Sequence, residues 1–238
     1  MKISILINNF NKSKFIKQTL QSCINQTDKN FEIIIFDDAS TDESIFLIKE
    51  SLKNLNSLQY KIIERKGEKS RHNSFNQITA IKNSLDKSEG EYISFLDADD
   101  LFDKYKIEYL REKFKNKKII YNSYNILKEN YLEKNQRHFK KRKIIWPIFP
   151  PTSCLSIEKK LLLKFFDKIC IQKFSSCWFD FRIASFVSKY VYEEIHYTKK
   201  ELTTYRKLDD SNDTIYTNPF KFLFWKRKVD AFILHRYF

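Results

Sequence analysis

Tyr92–Ile93–Ser94–Phe95–Leu96–Asp97–Ala98–Asp99–Asp100 decides how the chain is read. A short run rich in aromatic and branched residues fits a strand covered on both faces, as in a parallel sheet. It stops in three carboxylates, and like charges so close together belong at a crevice rather than in a core. Left without a cation or basic neighbours they raise one another's pKa. Asp99, with Asp97, is therefore a candidate ligand of a hard divalent ion. A solvated turn after the strand accounts for the same residues, and a second stretch is needed to choose.

That stretch is Phe31–Glu32–Ile33–Ile34–Ile35–Phe36–Asp37–Asp38–Ala39–Ser40–Thr41–Asp42, another strand that ends in an Asp pair. Apolar residues at helical spacing follow to Leu52, with Ser40, Thr41 and Asp42 as capping candidates. The first strand, Ile3–Ile7, ends in Asn8, Asn9 and Asn11 before a helix over about Ser13–Asn25. Three strands thus end in polar clusters, each followed by a helical pattern. In an open parallel sheet such ends line one edge, where nucleotides bind.

The 238 residues are 42% hydrophobic, enough to fill one α/β domain. Two glycines, Gly67 and Gly90, exclude the glycine-rich phosphate loops, so a bound nucleotide has to be held by side chains and metal. Cys23, Cys154, Cys170 and Cys177 show no CxxC spacing and the four histidines no HExxH, which argues against zinc and for a reduced, cytoplasmic chain. No apolar run reaches 18 residues, and the first is too short for a signal peptide, so no membrane span is expected. Charge is uneven: residues 1–100 carry 14 Lys and Arg against 15 Asp and Glu, and residues 101–238 carry 30 against 15. Either the second half has a basic surface function, or a lysine-rich compositional drift has scattered cations over a solvated face.

Further along, the pattern predicts a strand at Tyr60–Glu64, helices at Ser74–Ser88 and Lys104–Lys118, and a strand at Lys118–Tyr124. A polar basic loop over 128–143, ending in Lys140–Lys141–Arg142–Lys143, leads to Pro147, Pro150 and Pro151. A strand at Thr152–Ile157 and helices at Glu158–Phe166 and Cys177–Lys189 follow.

With these residues in view the chain resembles the family 2 glycosyltransferases of GT-A fold that build bacterial cell-surface polysaccharides. The likeness rests on Ser4–Asn11 with Asn25–Gln26–Thr27, on Phe31–Asp42, on Gly90–Ile93 running into the Asp97–Ala98–Asp99 DXD motif, and on Leu202–Thr203–Thr204–Tyr205–Arg206. It implies a Rossmann-like, mostly parallel central sheet flanked by helices. Residues 1–103 form the nucleotide-sugar half, 104–218 the acceptor-side half, and 219–238 a basic aromatic tail. By the same resemblance Asp38 accepts a nucleobase ring N–H, Phe10 lies against the base, and Asp99 with Asp97 holds Mg²⁺ or Mn²⁺ on the diphosphate. Asn8, Lys82, Asn83 and Arg206 complete the donor-binding set. Gly is usual where Ala39 stands. The acidic pair that supplies the family's general base is replaced here by Ser and Cys before Trp178, and Asp180 is the nearest carboxylate to take that role. Asp180 also reads as a helix N-terminal charge or as a partner of Arg182.

The expected activity is inverting transfer from a nucleotide-sugar, UDP-linked first, to a glycan or lipid-linked acceptor. A sugar-phosphate nucleotidyltransferase and a basic RNA-binding protein are the alternatives; the first lacks its glycine-rich start, and the second lacks any recognised motif and leaves the carboxylates unexplained. Residues 220–238 mix aromatics with Lys226, Arg227 and Lys228. They read either as a peripheral contact with the anionic inner face of the membrane or as a helix packed on the domain or on a second subunit.

Overall fold

The computed structural model describes residues 1–53, 55, 58–129, 131–135, 147, 149–208, 216 and 218–238. Its first half alternates strand and helix: β1 (Ile3–Asn9), α1 (Ser13–Ile24), β2 (Phe31–Asp37), α2 (Ser44–Leu52), β3 (Gln59–Glu64), α3 (Asn73–Lys87) and β4 (Tyr92–Asp97). Then come β5 (Leu101–Phe102), α4 (Lys106–Lys113), β6 (Ile119–Lys128), β7 (Tyr131–Lys134), β8 (Leu155–Glu158), α5 (Lys159–Ile169), α6 (Phe179–Tyr190), β9 (Ile195–Arg206) and α7 (Phe222–Tyr237). One sheet runs β3-β2-β1-β4-β8-β6-β9-β5, with β7 added on β6.

β1, β2 and β4 are buried along most of their length because successive side chains point to opposite faces and each face carries a core. Ile3, Ile5, Ile7, Ile33, Ile35 and Leu96 face one core with Ile16 and Leu20 of α1 and Ile48 of α2. Leu6, Ile34, Ile93 and Phe95 face the other, against Ile81 of α3, Phe165 and Phe166 of α5, and Phe179 and Ile183 of α6. At the foot of the sheet the buried Glu32 carboxylate accepts from Ser4 Oγ at 2.6 Å and from the Gly90 N–H at 3.1 Å. A Cβ on Gly90 would lie 2.5 Å from the Ser4 nitrogen, so only glycine fits there.

The sheet is parallel through β3-β2-β1-β4 and mixed beyond, because β8 runs antiparallel to both β4 and β6. The basic loop expected over 128–143 contributes β7, and the Lys140–Lys143 cluster lies outside the described residues. The helix expected over 104–118 is shorter, Lys106–Lys113. The C-terminal stretch is helical and docks by Ala231 and Leu234 against Cys177 and Phe181.

Candidate active site

Strand register brings the polar clusters to one edge. Asn8 pairs with Phe36 on one side and Asp97 on the other, and Asn9 pairs with Asp37. The two carboxylates after β2 then divide their work. Asp37 is buried and accepts from Asn9 Nδ2 at 2.8 Å, from the Ser40 N–H at 2.9 Å and from Ser40 Oγ at 2.6 Å. It closes the turn that presents Asp38. Asp38 faces the cavity beneath Arg65, which donates Nε to Oδ1, and Lys69, whose Nζ lies 3.4 Å from Oδ2. Lys69 Nζ also sits 3.2 Å from the centroid of the exposed Phe10 ring, so the ring and the carboxylate share one cation.

Asp42 joins the first two helices. Its carboxylate accepts from the Ser13 N–H at the start of α1 and the Ser44 N–H at the start of α2, both at 2.9 Å. Burial pushes its pKa up, but the bonds to Ser44 and Ser13 outweigh it and hold the group down at about 2.

The turn after β4 is built on Ser153, whose Oγ accepts the Asp97 N–H at 3.0 Å and donates to Asp100 Oδ2 at 2.6 Å. Asp100 also accepts the Arg206 N–H at 2.8 Å. Burial, then the charges of Asp99 and Asp97, push the Asp100 pKa well above the usual carboxylate range. Beneath the turn Lys106, fully buried, donates to the Ser153 carbonyl at 2.7 Å and to Thr203 Oγ1 at 3.0 Å; desolvation brings its pKa down to about 7. Asp99 points outward and pairs with Lys12, Nζ to Oδ2 2.6 Å. Arg206, at the end of β9, donates Nε to the Asp99 carbonyl at 2.9 Å and Nη2 to Gln18 at 2.7 Å.

Asp180 lies in the first turn of α6 and accepts the Phe181 N–H at 2.7 Å. The start of that helix is fixed from α3: Gln77 Oε1 accepts the Phe179 N–H at 3.1 Å, and Ser74 Oγ donates to the Ser175 carbonyl at 2.6 Å. Arg182 gives its guanidinium to the backbone carbonyls of Ile169, Ile171, Lys173, Phe174 and Cys177. That pins the loop before α6 and sets aside the reading of Arg182 as the Asp180 partner.

One cavity of about 480 Å³ is lined by Asn8, Phe10, Asp38, Asp97, Asp99, Asp180 and Arg206. Lys82 and Asn83 are not brought to it; both are exposed, and Asn83 Nδ2 bonds the Thr79 carbonyl of its own helix at 2.8 Å. The reason is direction. A crossover helix between parallel strands starts at the edge where the first strand ends and runs away from it, so at about 1.5 Å per residue Lys82 lies about 13 Å along α3 from Asn73. The wall is made instead by Asn73, Asn76, Gln77 and Ala80 from the start of α3. Their signal in the sequence is position just after the loop from β3. Lys12, Tyr124, Phe149, Trp178, Tyr205 and Arg227 also line the cavity. Asn8 Oδ1 and Trp178 Nε1 are buried without a hydrogen-bond partner among the described residues.

Among the described residues no group of three or more His, Cys, Asp or Glu forms a ready-made metal site. Asp97 and Asp99 nevertheless share the cavity, and Asp99 already accepts a cation in Lys12. Two hard oxygen donors suit an ion that completes its shell with phosphate and water.

The chain matches the model of glycosyl transferase family 2 over residues 4–186 and belongs to that family. It is 37% identical over 113 residues to an uncharacterized glycosyltransferase of Rickettsia bellii, covering 48% of this chain and 15% of that protein. It is 28% identical over 99 residues to the GalNAc(5)-diNAcBac-PP-undecaprenol beta-1,3-glucosyltransferase of Campylobacter jejuni, covering 42% of this chain and 30% of that one. The chain thus spans less than a third of either relative. S. aureus TarS in complex with UDP-GlcNAc superposes with a TM-score of 0.68 at 17% identity, over 90% of this chain and 61% of that one. The mannosyltransferase PcManGT from Pyrobaculum calidifontis, in complex with GDP-Man and Mn²⁺, gives 0.60 at 13% identity, over 98% and 62%. The fold is therefore GT-A.

Proposed function

We propose that this chain carries out inverting sugar transfer from a nucleoside diphosphate sugar, UDP-linked first, to a hydroxyl of a glycan or lipid-linked acceptor in cell-surface polysaccharide synthesis. The observation that carries the reading is the single cavity that gathers Asp38, Asp97 and Asp99 from separate strand ends with Asp180 from a helix far along the chain. On this reading residues 1–103 hold the donor and 104–218 the acceptor, with 219–238 at the rim.

Asp38 accepts the ring N–H of the base, which favours uracil and admits guanine, and Phe10 stacks beneath it once Lys69 swings aside. Asn8 Oδ1 accepts from the donor and relieves an otherwise unpartnered buried oxygen. Arg206 keeps the Asp97–Asp100 turn in place. A Mg²⁺ or Mn²⁺ ion held by Asp99 and Asp97 would neutralise the charge that gathers on the departing diphosphate. Asp180 takes the proton of the acceptor hydroxyl as its oxygen bonds the anomeric carbon, and the bond from that carbon to the diphosphate oxygen breaks on the opposite face. The sugar inverts and the nucleoside diphosphate leaves.

A lipid-linked acceptor puts the enzyme at the inner face of the membrane as a peripheral protein; no helix among the described residues is long and apolar enough to cross one. The test is release of nucleoside diphosphate from a panel of UDP- and GDP-sugars with Mn²⁺, before and after chelation. Metal-dependent release lost in Asp99→Asn supports the reading. Release no faster than the uncatalysed rate with every donor contradicts it.

A further inference from the structure

Helix α7 is apolar on two opposite faces, and among the described residues only one is covered. Ala231 and Leu234 are buried against the catalytic domain. On the other side Phe222, Trp225, Val229 and Ile233, spaced as one helical stripe, are 78%, 60%, 53% and 46% exposed. A helix with apolar residues all round normally has both faces covered, and an aromatic stripe left open on a surface marks an interaction site.

Charge identifies what covers it. Residues 219–238 carry five Lys and Arg against the single acid Asp230, and that acid is taken by Lys226 and by Ser176 Oγ at 2.7 Å. A second copy docking stripe to stripe sets like charges against like, whereas an anionic surface is complementary. The mixture of rings, aliphatics and basic side chains flanking them is the composition that settles in the headgroup region of a bilayer, rings in the interface and cations at the phosphates.

We propose that the outer face of α7 binds an anionic lipid surface. The same helix lends Arg227 to the cavity lining, so the site opens within about a helix diameter, roughly 10 Å, of the membrane. A hydroxyl on a lipid-linked glycan then reaches Asp180 while its lipid anchor stays in the bilayer. The purpose given to the contact rests on the transferase reading; the contact itself does not.

The full chain is floated through a density gradient with vesicles of phosphatidylcholine, or of phosphatidylcholine with phosphatidylglycerol, and UDP binding with Mn²⁺ is titrated on the same preparations. Two variants accompany it: Phe222→Ser/Val229→Ser/Ile233→Ser on the open stripe and Lys228→Glu/Arg236→Glu beside it. Melting curves and light scattering check folding and oligomeric state. The wild type is expected to float only with the anionic vesicles, and each folded variant to lose about tenfold or more of that partitioning, with UDP binding unchanged. Flotation of the stripe variant to the wild-type extent overturns the proposal, as does a wild type that floats with neither vesicle. A wild-type dimer that the stripe variant breaks assigns the face to a second copy and overturns it too. A chain that floats but binds no nucleotide contradicts the transferase reading and leaves the lipid contact standing.

Discussion

Lys12 Nζ lies 2.6 Å from Asp99 Oδ2. A lysine from the loop after β1 thus stands where the carboxylate of the β4 turn meets the cavity, and it competes with any ion for the same oxygen. Asp99→Asn is expected to remove the Mn²⁺ stimulation of UDP binding, because the proposed pair of carboxylate ligands cannot spare one. Lys12→Met is expected to keep that stimulation and to tighten the Mn²⁺ dependence, since the competing ammonium is gone. Calorimetric titrations of UDP at several Mn²⁺ concentrations measure both; a Lys12→Met protein that loses the metal effect as fully as Asp99→Asn contradicts the assignment.

Asp180 is held by the first turn of α6, and that turn is capped by Gln77. Asp180→Asn keeps the size and the cap geometry and removes the proposed base, so kcat is expected to fall by roughly 10²–10⁴ with donor affinity little changed. Single-turnover transfer and equilibrium UDP binding separate the two quantities. A matching loss in both would make the residue structural.

Ala39 adopts φ 54° at an exposed position beside Asp38. The left-handed region costs a residue with a Cβ about 1–2 kcal/mol, and glycine returns part of that gain as unfolded-chain entropy. Ala39→Gly is therefore expected to stabilise the protein by about 0.5–1 kcal/mol, a rise in melting temperature of about 1–4 °C for a chain of this size. A lower melting temperature would mean that the turn gains rigidity from the methyl group.

Asp42 caps two helices with a carboxylate whose pKa is depressed to about 2. A carboxyl lowered in the folded state stabilises fully above its unfolded value, near 3.9, and the contribution fades as pH falls towards 2. Asp42→Asn is expected to lower the urea midpoint at neutral pH, and its difference from wild type to shrink between about pH 4 and pH 2. A difference that is the same at pH 7 and pH 3 would show that the charge is not what stabilises the two helix starts.

The sequence made the first half of the fold legible because its signals are local. Buried strands that stop at Asn8, Asp37 and Asp97 announce both the parallel sheet and the edge that carries the site, and the register in the structure sets those residues side by side. The resemblance picks out Asp38 of the pair, but the residues by themselves do not show that Asp37 is the staple beneath it, a role set by the close approach of Asn9 and Ser40. Lys82 and Asn83 enter the donor set by the family resemblance alone, whereas α3 carries them away from the edge. Strand β9 was hidden because Lys199–Lys200–Glu201 breaks its alternation at the point where its pairing with β6 shifts register. Ser153 and Lys106 hold the Asp97–Asp100 turn from 47 residues apart, a partnership no local pattern reveals.

One cavity is proposed to bind the nucleoside diphosphate through Asp38 and, with a divalent ion, through Asp99. Titrating UDP with Mn²⁺ into wild type, Asp38→Ala, Asp99→Asn and the double variant tests it most directly. One UDP per chain is expected for the wild type, with binding weakened at least tenfold in each single variant and undetectable in the double variant while its melting temperature stays within a few degrees. UDP binding by the double variant at wild-type affinity would contradict it.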